Sequence, residues 1–270
     1  MTINVYLDAV SVIGPGGDNW EAWRSILQNP AHYETAKTKT PALNVLPAAE
    51  RRRVGIGVKL ALACGLDALA MVEADPASIT TVFSSSGGDG ENCHMICEAL
   101  AGSDRLISPT RFHNSVHNAP SGYWGIASGA MLPSTSLCAH DASFSVGLLE
   151  AATQSVIEQR PILLVAYDTP YPEPLQTVRP IADQFAVALL LHPVKTPRSM
   201  ASLTLALSSE PPTRMTNEVL NEVCRNIPAA RCLPLLQTLA QRDGKAETNA
   251  PIHLEYVNKR SLAVTVSKLG

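Results

Sequence analysis

Hydrophobic positions recur along this chain with two periods. Residues 3–13 (INVYLDAVSVI) are β-rich and run into Gly14-Pro15-Gly16-Gly17, which predicts a strand stopped by a turn. Asp18 or Asn19 then offers a cap for a short helix carrying Trp20, Trp23, Ile26 and Leu27 at helical spacing. Residues 28–46 read as a loop. From Pro47, suited to a first helical turn, to about Val72 the chain reads as one long helix, nearly uncharged after Lys59 and so expected between layers. Ile79–Ser84 predicts a buried strand, 91–101 a helix, Ser134–Ala139 a short strand, Ala142–Gln159 a helix and Ile162–Tyr167 a core strand. Pro120 restricts 114–129 to a broken or late-starting helix. Strands follow at 184–191 and 200–207, then helices near 216–226 and 230–242, a polar stretch at Arg242–Asn249, and strands near 252–256 and 262–267.

Apolar strands alternating with helices bury both faces of a sheet, so the expected class is a layered α/β fold. The last third has a different order of elements, so a boundary near 195–215 is expected between a unit at 1–195 and a C-terminal α/β extension at 196–270 that packs on it.

With 270 residues, 46% hydrophobic and 17% charged, the chain has a large core and is not generally disordered. A net charge of −3 lacks the basic footprint of a nucleic-acid binder. No apolar run reaches the ~20 residues of a membrane span, and the N-terminus has no basic n-region, so neither a span nor a signal peptide is expected. Cys64, Cys93, Cys97, Cys138, Cys224 and Cys232 lie in mostly apolar surroundings without regular spacing, predicting buried free thiols in a reducing, cytoplasmic compartment.

Candidate chemistry falls at four places. Gly14–Gly17 matches no phosphate-loop spacing and reads as a turn; there is also no G-x-S-x-G nucleophile elbow. Cys93, His94 and Cys97 could ligate a metal, but no second pair follows and core cysteines are the favoured reading, so no metal or cofactor is expected. Ser108–Ser121 concentrates Asn114, Asn118, His113 and His117, as a site or as a hydrogen-bonded turn. Finally, Cys138-Ala139-His140-Asp141-Ala142-Ser143 is a strand end entering a helix, where the helix dipole favours an anion. A thiol at such a junction has a lowered pKa and is a good nucleophile. The residue best placed there is Asp141, whose structural role would be helix N-cap.

At this junction the chain resembles the β-ketoacyl-(acyl carrier protein) synthases of the thiolase fold. Ile107-Ser108-Pro109, Asn118, Gly122, Gly129, Pro133, Ala142 and Ser143 fall into the family's pattern without a gap, and the resemblance covers about 3–192, sharpest at 105–168. It implies a thiolase-like α/β/α fold, essentially the N-terminal half of a ketosynthase with a short C-terminal extension. Two departures stand out. The family's nucleophilic cysteine position is Asp141, which cannot carry a thioester, and the following glycine position is Phe144. Cys138, three residues earlier, would serve only after a strand slip that turns it to the other face. The second half of the family, with its catalytic histidines and lysine, has no counterpart in this chain.

The resemblance therefore implies a non-catalytic subunit similar to the truncated chain-length factors of bacterial aryl polyene clusters. Such a subunit pairs with an active ketosynthase as a heterodimer, meets acyl carrier protein transiently and shapes the acyl tunnel for polyene- or polyketide-type chains. The strand at Ser134–Ala139, including Ser134, Ser136 and Cys138, is then expected to be an unpaired apolar edge at the subunit interface. Phe112, His113, Val116, His117, Pro120 and Tyr123 are expected to line the tunnel or pack at the interface. A half-sized unit is also expected to leave its helix layer uncovered and apolar. Arg51–Arg53 either attract an acidic carrier protein or form a solvated helix end. Two other readings remain: a self-sufficient acyltransferase using Cys138 with His113, His117 or His140 as base, and a scaffold that binds carrier protein without a ketosynthase.

Overall fold

A computed structural model describes residues 2–241 and 250–269. Its centre is one eight-stranded sheet in the order β3-β2-β4-β5-β1-β6-β8-β7. These are β1 (Thr2–Ile13), β2 (Thr80–Ser84), β3 (Ser134–Leu137), β4 (Ile162–Asp168), β5 (Phe185–His192), β6 (Ala201–Ser208), β7 (Ile252–Glu255) and β8 (Ser261–Lys268). Strands β3, β2 and β4 run parallel to one another; every later pairing is antiparallel. The strands of 196–270 thus continue the sheet of the first part through the β1–β6 ladder.

The helices are α1 (Trp20–Gln28), α2 (Ala48–Arg53), α3 (Ile56–Ala70), α4 (Gly90–Ala101), α5 (Pro109–Asn114), α6 (Ala119–Ser128), α7 (Ser143–Glu158), α8 (Leu175–Val178), α9 (Glu218–Asn226) and α10 (Leu233–Ala240). Alternation along the strands sends side chains to two cores. Ile162, Leu164, Val187 and Leu189 lie on the face covered by α7, in a core that α1 and α10 extend over β1, β7 and β8, while Leu163, Val165, Ala186 and Ala188 meet α3 on the other. In β1 the register slips between Leu7 and Ala9, so Val5 and Leu7 share a face with Val10 and Val12. The side chain of Asp8 at this bulge accepts hydrogen bonds from the hydroxyls of Thr196 (2.6 Å) and Ser199 (2.7 Å).

Several expectations change. The helix foreseen from Pro47 to Val72 is two helices, α2 and α3, broken at Val54–Gly55. Val54 turns into the core, and Gly55 approaches the Asp89 carboxylate so closely that a Cβ would collide with it. Asn19, not Asp18, caps α1 by accepting from the Ala22 amide at 2.9 Å. Pro109 and Pro120 each stand in the first turn of a short helix, so 109–128 is α5 and α6. The helix foreseen at 230–242 is a 3-10 turn at Pro228–Cys232 followed by α10. Its last residue, and the polar stretch at 242–249, lie outside the described residues.

The helix layer is not left bare: α3 lies between the sheet and α6, and Leu43, Leu46 and Val54 join its cover. Nor are all cysteines buried. Cys64 and Cys232 are, Cys224 is half-buried, and Cys93, Cys97 and Cys138 are exposed, all six as free thiols. Among the described residues no helix is long and apolar enough to cross a membrane, and no group of His, Cys, Asp or Glu is arranged to hold a metal.

Candidate functional site: the junction between strand 3 and helix 7

β3 stops at Leu137, and a 3-10 turn at His140–Ala142 leads into α7. Ser143 ties this turn together, accepting from the Ala139 amide (3.0 Å) and donating to the His140 carbonyl (2.7 Å). His140 takes the left-handed conformation, φ +52°, inside the turn.

Asp141 does not cap α7, because its carboxylate faces two guanidiniums instead. Arg179, beyond α8, lies 2.7 Å from Oδ1, and Arg231, from the Pro228–Cys232 turn, lies 2.9 Å from Oδ2. Arg231 also pairs with Glu255 at the end of β7, and the Ser145 hydroxyl in the first turn of α7 donates to the Glu255 carbonyl. Burial alone would raise the Asp141 carboxyl. The hydrogen bond from Arg179 and the charges of Arg231, Arg179 and His140 outweigh it and hold the group below its ordinary value. Asp141 is thus an ionised carboxylate clamped by two cations.

A second polar centre sits at the carboxyl ends of β2 and β4. Asp168 is buried, and its Oδ1 accepts from the Ser86 amide (2.8 Å), the Ser86 hydroxyl (2.6 Å) and the Ser85 hydroxyl (3.3 Å). Its Oδ2 has no hydrogen-bond partner of normal geometry among the described residues. Burial pushes this carboxyl up to about 6 against the lowering effect of its Ser86, Ala229 and Ser85 donors. The Ser85 hydroxyl also accepts from the Gly88 amide at 3.1 Å, folding the loop over the strand ends. Tyr171 packs against Gly87 and Gly90 so closely that neither position has room for a Cβ.

Cys138 Sγ donates to the Ser86 carbonyl at 3.2 Å, and His117 Nε2 lies 3.4 Å from the Ser85 carbonyl. Both side chains therefore reach the same loop, but no hydrogen bond among the described residues joins Cys138 to an imidazole. His140 points its Nδ1 at Asp141, 3.5 Å away, and His113 stacks edge-on against Tyr123. A nucleophile–base pair of the kind covalent catalysis needs is not assembled here.

The other foreseen residues divide by burial. Pro120 and Tyr123 are buried, the Tyr123 hydroxyl donating to Asn114 (3.0 Å), whose amide donates to the Arg53 carbonyl (2.7 Å). Phe112 and Val116 are 64% and 47% exposed, apolar surface that the core does not use. β3 pairs only with β2, but its edge is not apolar: the sequence is Ser-Thr-Ser-Leu. Ser134 bonds Thr81 (2.7 Å), Thr135 accepts from Gln154 (2.9 Å), and the buried Ser136 hydroxyl has no partner among the described residues. Sequence reasoning missed Arg179, Arg231, Glu255 and Asp168; apart from the strand-end position of Asp168 nothing local marks them, since they meet only in three dimensions.

This geometry, strand ends of a layered sheet converging on the turn before a long helix, agrees with the comparisons. The family profile described as beta-ketoacyl synthase, N-terminal domain, matches residues 20–253, and the chain belongs to that family. Its fold is the thiolase-like α/β/α fold of the ketosynthases. It is similar to a chain of the ketosynthase (ApeO) in complex with its chain length factor (ApeC) from Xenorhabdus doucetiae, with 25% identity, a TM-score of 0.72, and 97% of this chain and 99% of that chain covered. It shares its fold with a chain of the AntDE:AntF complex, a type II polyketide synthase acyl-carrier protein with its ketosynthase, at TM-score 0.73 and 12% identity, covering 100% of both chains. Against the ketosynthase of module 1 of the bacillaene synthase from Bacillus amyloliquefaciens FZB42, at TM-score 0.56 and 13% identity, 78% of this chain spans only 47% of that one. A search of curated proteins returned no match.

Proposed function

We propose that this chain is a non-catalytic, chain-length-factor-like subunit that pairs with an active β-ketoacyl-acyl-carrier-protein synthase and shapes its acyl tunnel for polyene- or polyketide-type chains. The observation that carries the reading is Asp141. A ketosynthase-family chain whose nucleophile position holds a carboxylate bound by Arg179 and Arg231 has a partner's chemistry to serve rather than its own. End-to-end similarity to a chain of a ketosynthase–chain length factor complex supports the same role.

The free edge of β3 and the exposed Phe112, Val116 and Met131 (95% exposed) belong to one stretch of chain and supply the pairing surface. Exposed large apolar side chains beside an unpaired strand edge are the kind of surface a partner covers. Within that assembly Phe112, His113, Val116 and His117 are the residues assigned to the tunnel and interface, and the exposed Arg52 and Arg53, with the half-buried Arg51, attract the acidic carrier protein. Residues 196–270 form the extension that stands in for part of the missing half.

Native mass measured after co-expression with the ketosynthase encoded beside it tests this. A stable 1:1 complex is expected, with this chain poorly behaved alone; a homodimer indifferent to the ketosynthase overturns the reading. Cys138→Ala is expected to leave condensation by the complex unchanged, and its loss would instead favour an enzyme acting through Cys138.

A further inference from the structure

Between residues 93 and 118 the chain runs over the surface, and Asn114 is the one residue of that stretch that is buried. A long exposed stretch has low local stability, so its position depends on whichever groups reach the body of the fold. Asn114 is 0% exposed, the only buried residue of α5. A polar side chain takes that place because two separate elements offer it partners.

The first partner is the Arg53 carbonyl, which accepts from Asn114 Nδ2 at 2.7 Å. Arg53 ends α2, so its carbonyl has no partner inside the helix and needs a donor from elsewhere. The second is Tyr123 of α6, whose hydroxyl donates to Asn114 Oδ1 at 3.0 Å. The Tyr123 ring belongs to the same core as the apolar face of α3. Donor and acceptor of one buried amide thus tie α5 to both α2 and α6.

The other polar links from α5 and its flanks are longer. Arg111 Nη1 lies 3.5 Å from Asn92 Oδ1, the Cys93 thiol 3.8 Å from the Ser115 carbonyl, and His117 Nε2 3.4 Å from the Ser85 carbonyl. Contacts at such distances hold less than the two that Asn114 makes. The His113 ring meets Tyr123 edge-on, with centroids 6.1 Å apart, and so braces the same pair of helices. Phe112 and Val116 stand two residues to either side of Asn114 and are exposed, so neither anchors α5 by its own burial.

We infer that Asn114 is a positioning residue: by fixing α5 against α2 and α6 it sets where Phe112 and Val116 meet the partner subunit and the acyl tunnel. The inference rests on the role proposed above for α5, and it adds a buried residue that governs product length from behind the tunnel wall. Removing the amide strands the Arg53 carbonyl and the Tyr123 hydroxyl, and buried groups left unpaired are costly enough to open the contact to water. α5 is then free to shift, and Phe112 no longer stands at one depth.

The test compares Asn114→Leu, Tyr123→Phe and Phe112→Ala in the complex with the ketosynthase encoded beside this chain. Hydrogen exchange at residues 109–116 is expected to quicken about tenfold or more in Asn114→Leu and to stay within about twofold in β4 and α7. At equal concentrations of complex, product lengths in Asn114→Leu are expected to shift in the direction seen with Phe112→Ala, the minor products at least doubling their share. A merely structural role would lower the yield of complex and leave product lengths as they were. Tyr123→Phe, which keeps the bond to Arg53, is expected to give a smaller change of both kinds and serves if Asn114→Leu does not fold. Unchanged exchange in α5, or unchanged product lengths where Phe112→Ala shifts them, overturns the inference and leaves the proposed role of the subunit standing. Failure to form a complex, or Phe112→Ala without effect on product or pairing, overturns that role for α5 and the inference with it.

Discussion

Arg179 lies 2.7 Å from Asp141, thirty-eight residues away in the chain, and the pair joins the segment between β4 and β5 to the turn that leads into α7. With Arg231 on the other oxygen, the carboxylate serves as a cross-link between three segments of the fold.

Replacing Asp141 tests that cross-link. Asp141→Ala leaves two partly buried guanidiniums without their shared anion, and removing one member of such a cluster costs a few kcal/mol. With about a quarter of the Asp141 side chain exposed, a loss of about 2 kcal/mol is expected by urea unfolding. A change under about 0.5 kcal/mol would mean solvent screens the pairing fully. Because the folded-state carboxyl is held below its ordinary value, this stabilisation is present above the unfolded value near 4 and is lost as pH falls through the folded value.

Asp168 has the opposite sign. Its folded-state value is raised to about 6, so the folded protein binds this proton more tightly than the unfolded chain does. Stability is therefore expected to decline as pH rises from about 4 to about 6 and then level off, apart from other groups. Asp168→Asn keeps an oxygen for the Ser86 donors and is expected to remove that decline; unfolding curves at four pH values between 4 and 7 would read it. A slope identical in the variant would assign the effect elsewhere.

Gly90 is expected to tolerate no side chain. A Cβ there meets the Tyr171 ring, which closes over the loop at 85–90. Gly90→Ala should cost about 1–3 kcal/mol through overpacking. Tyr171→Ala in the same background should recover part of it, and an additive double variant would refute the contact.

Thiol labelling of the folded chain should separate the cysteines. Cys93, Cys97 and Cys138 are exposed and are expected to react within minutes, while Cys64, whose thiol burial pushes up to about 12, and Cys232, raised well above its usual range by burial, are expected to wait for unfolding. Protection of Cys138 on adding the ketosynthase would place the partner over β3. Mass spectrometry of labelled peptides gives both readings.

Phe112→Ala is expected to change stability by less than about 0.5 kcal/mol, since the ring is 64% exposed. In the assembled complex the same change should lengthen the product or weaken pairing. Unaltered product and unaltered affinity together would remove Phe112 from the tunnel and interface.

The strands and most helices were legible in the chain because their causes are local. Runs such as ILLVAY and QFAVALLL have nowhere to go but a covered sheet, and Asn19 and Pro120 act within one helical turn. The register of the family resemblance at 105–168 also marked Asp141 as the position to examine. The helix break at Gly55 was not legible, because its cause is the Asp89 carboxylate on another segment. The capping role foreseen for Asp141 failed for the same reason: local preference made it a cap, and two arginines 38 and 90 residues further along the chain outweighed the amides nearby. Sequence by itself determined most of the elements and the layered class, since each depends on neighbouring residues. Tertiary structure decided what holds Asp141, why Asp168 is raised, and that Asn114 ties α5 to α2 and α6, since charges and buried donors find partners across distances that no local pattern encodes.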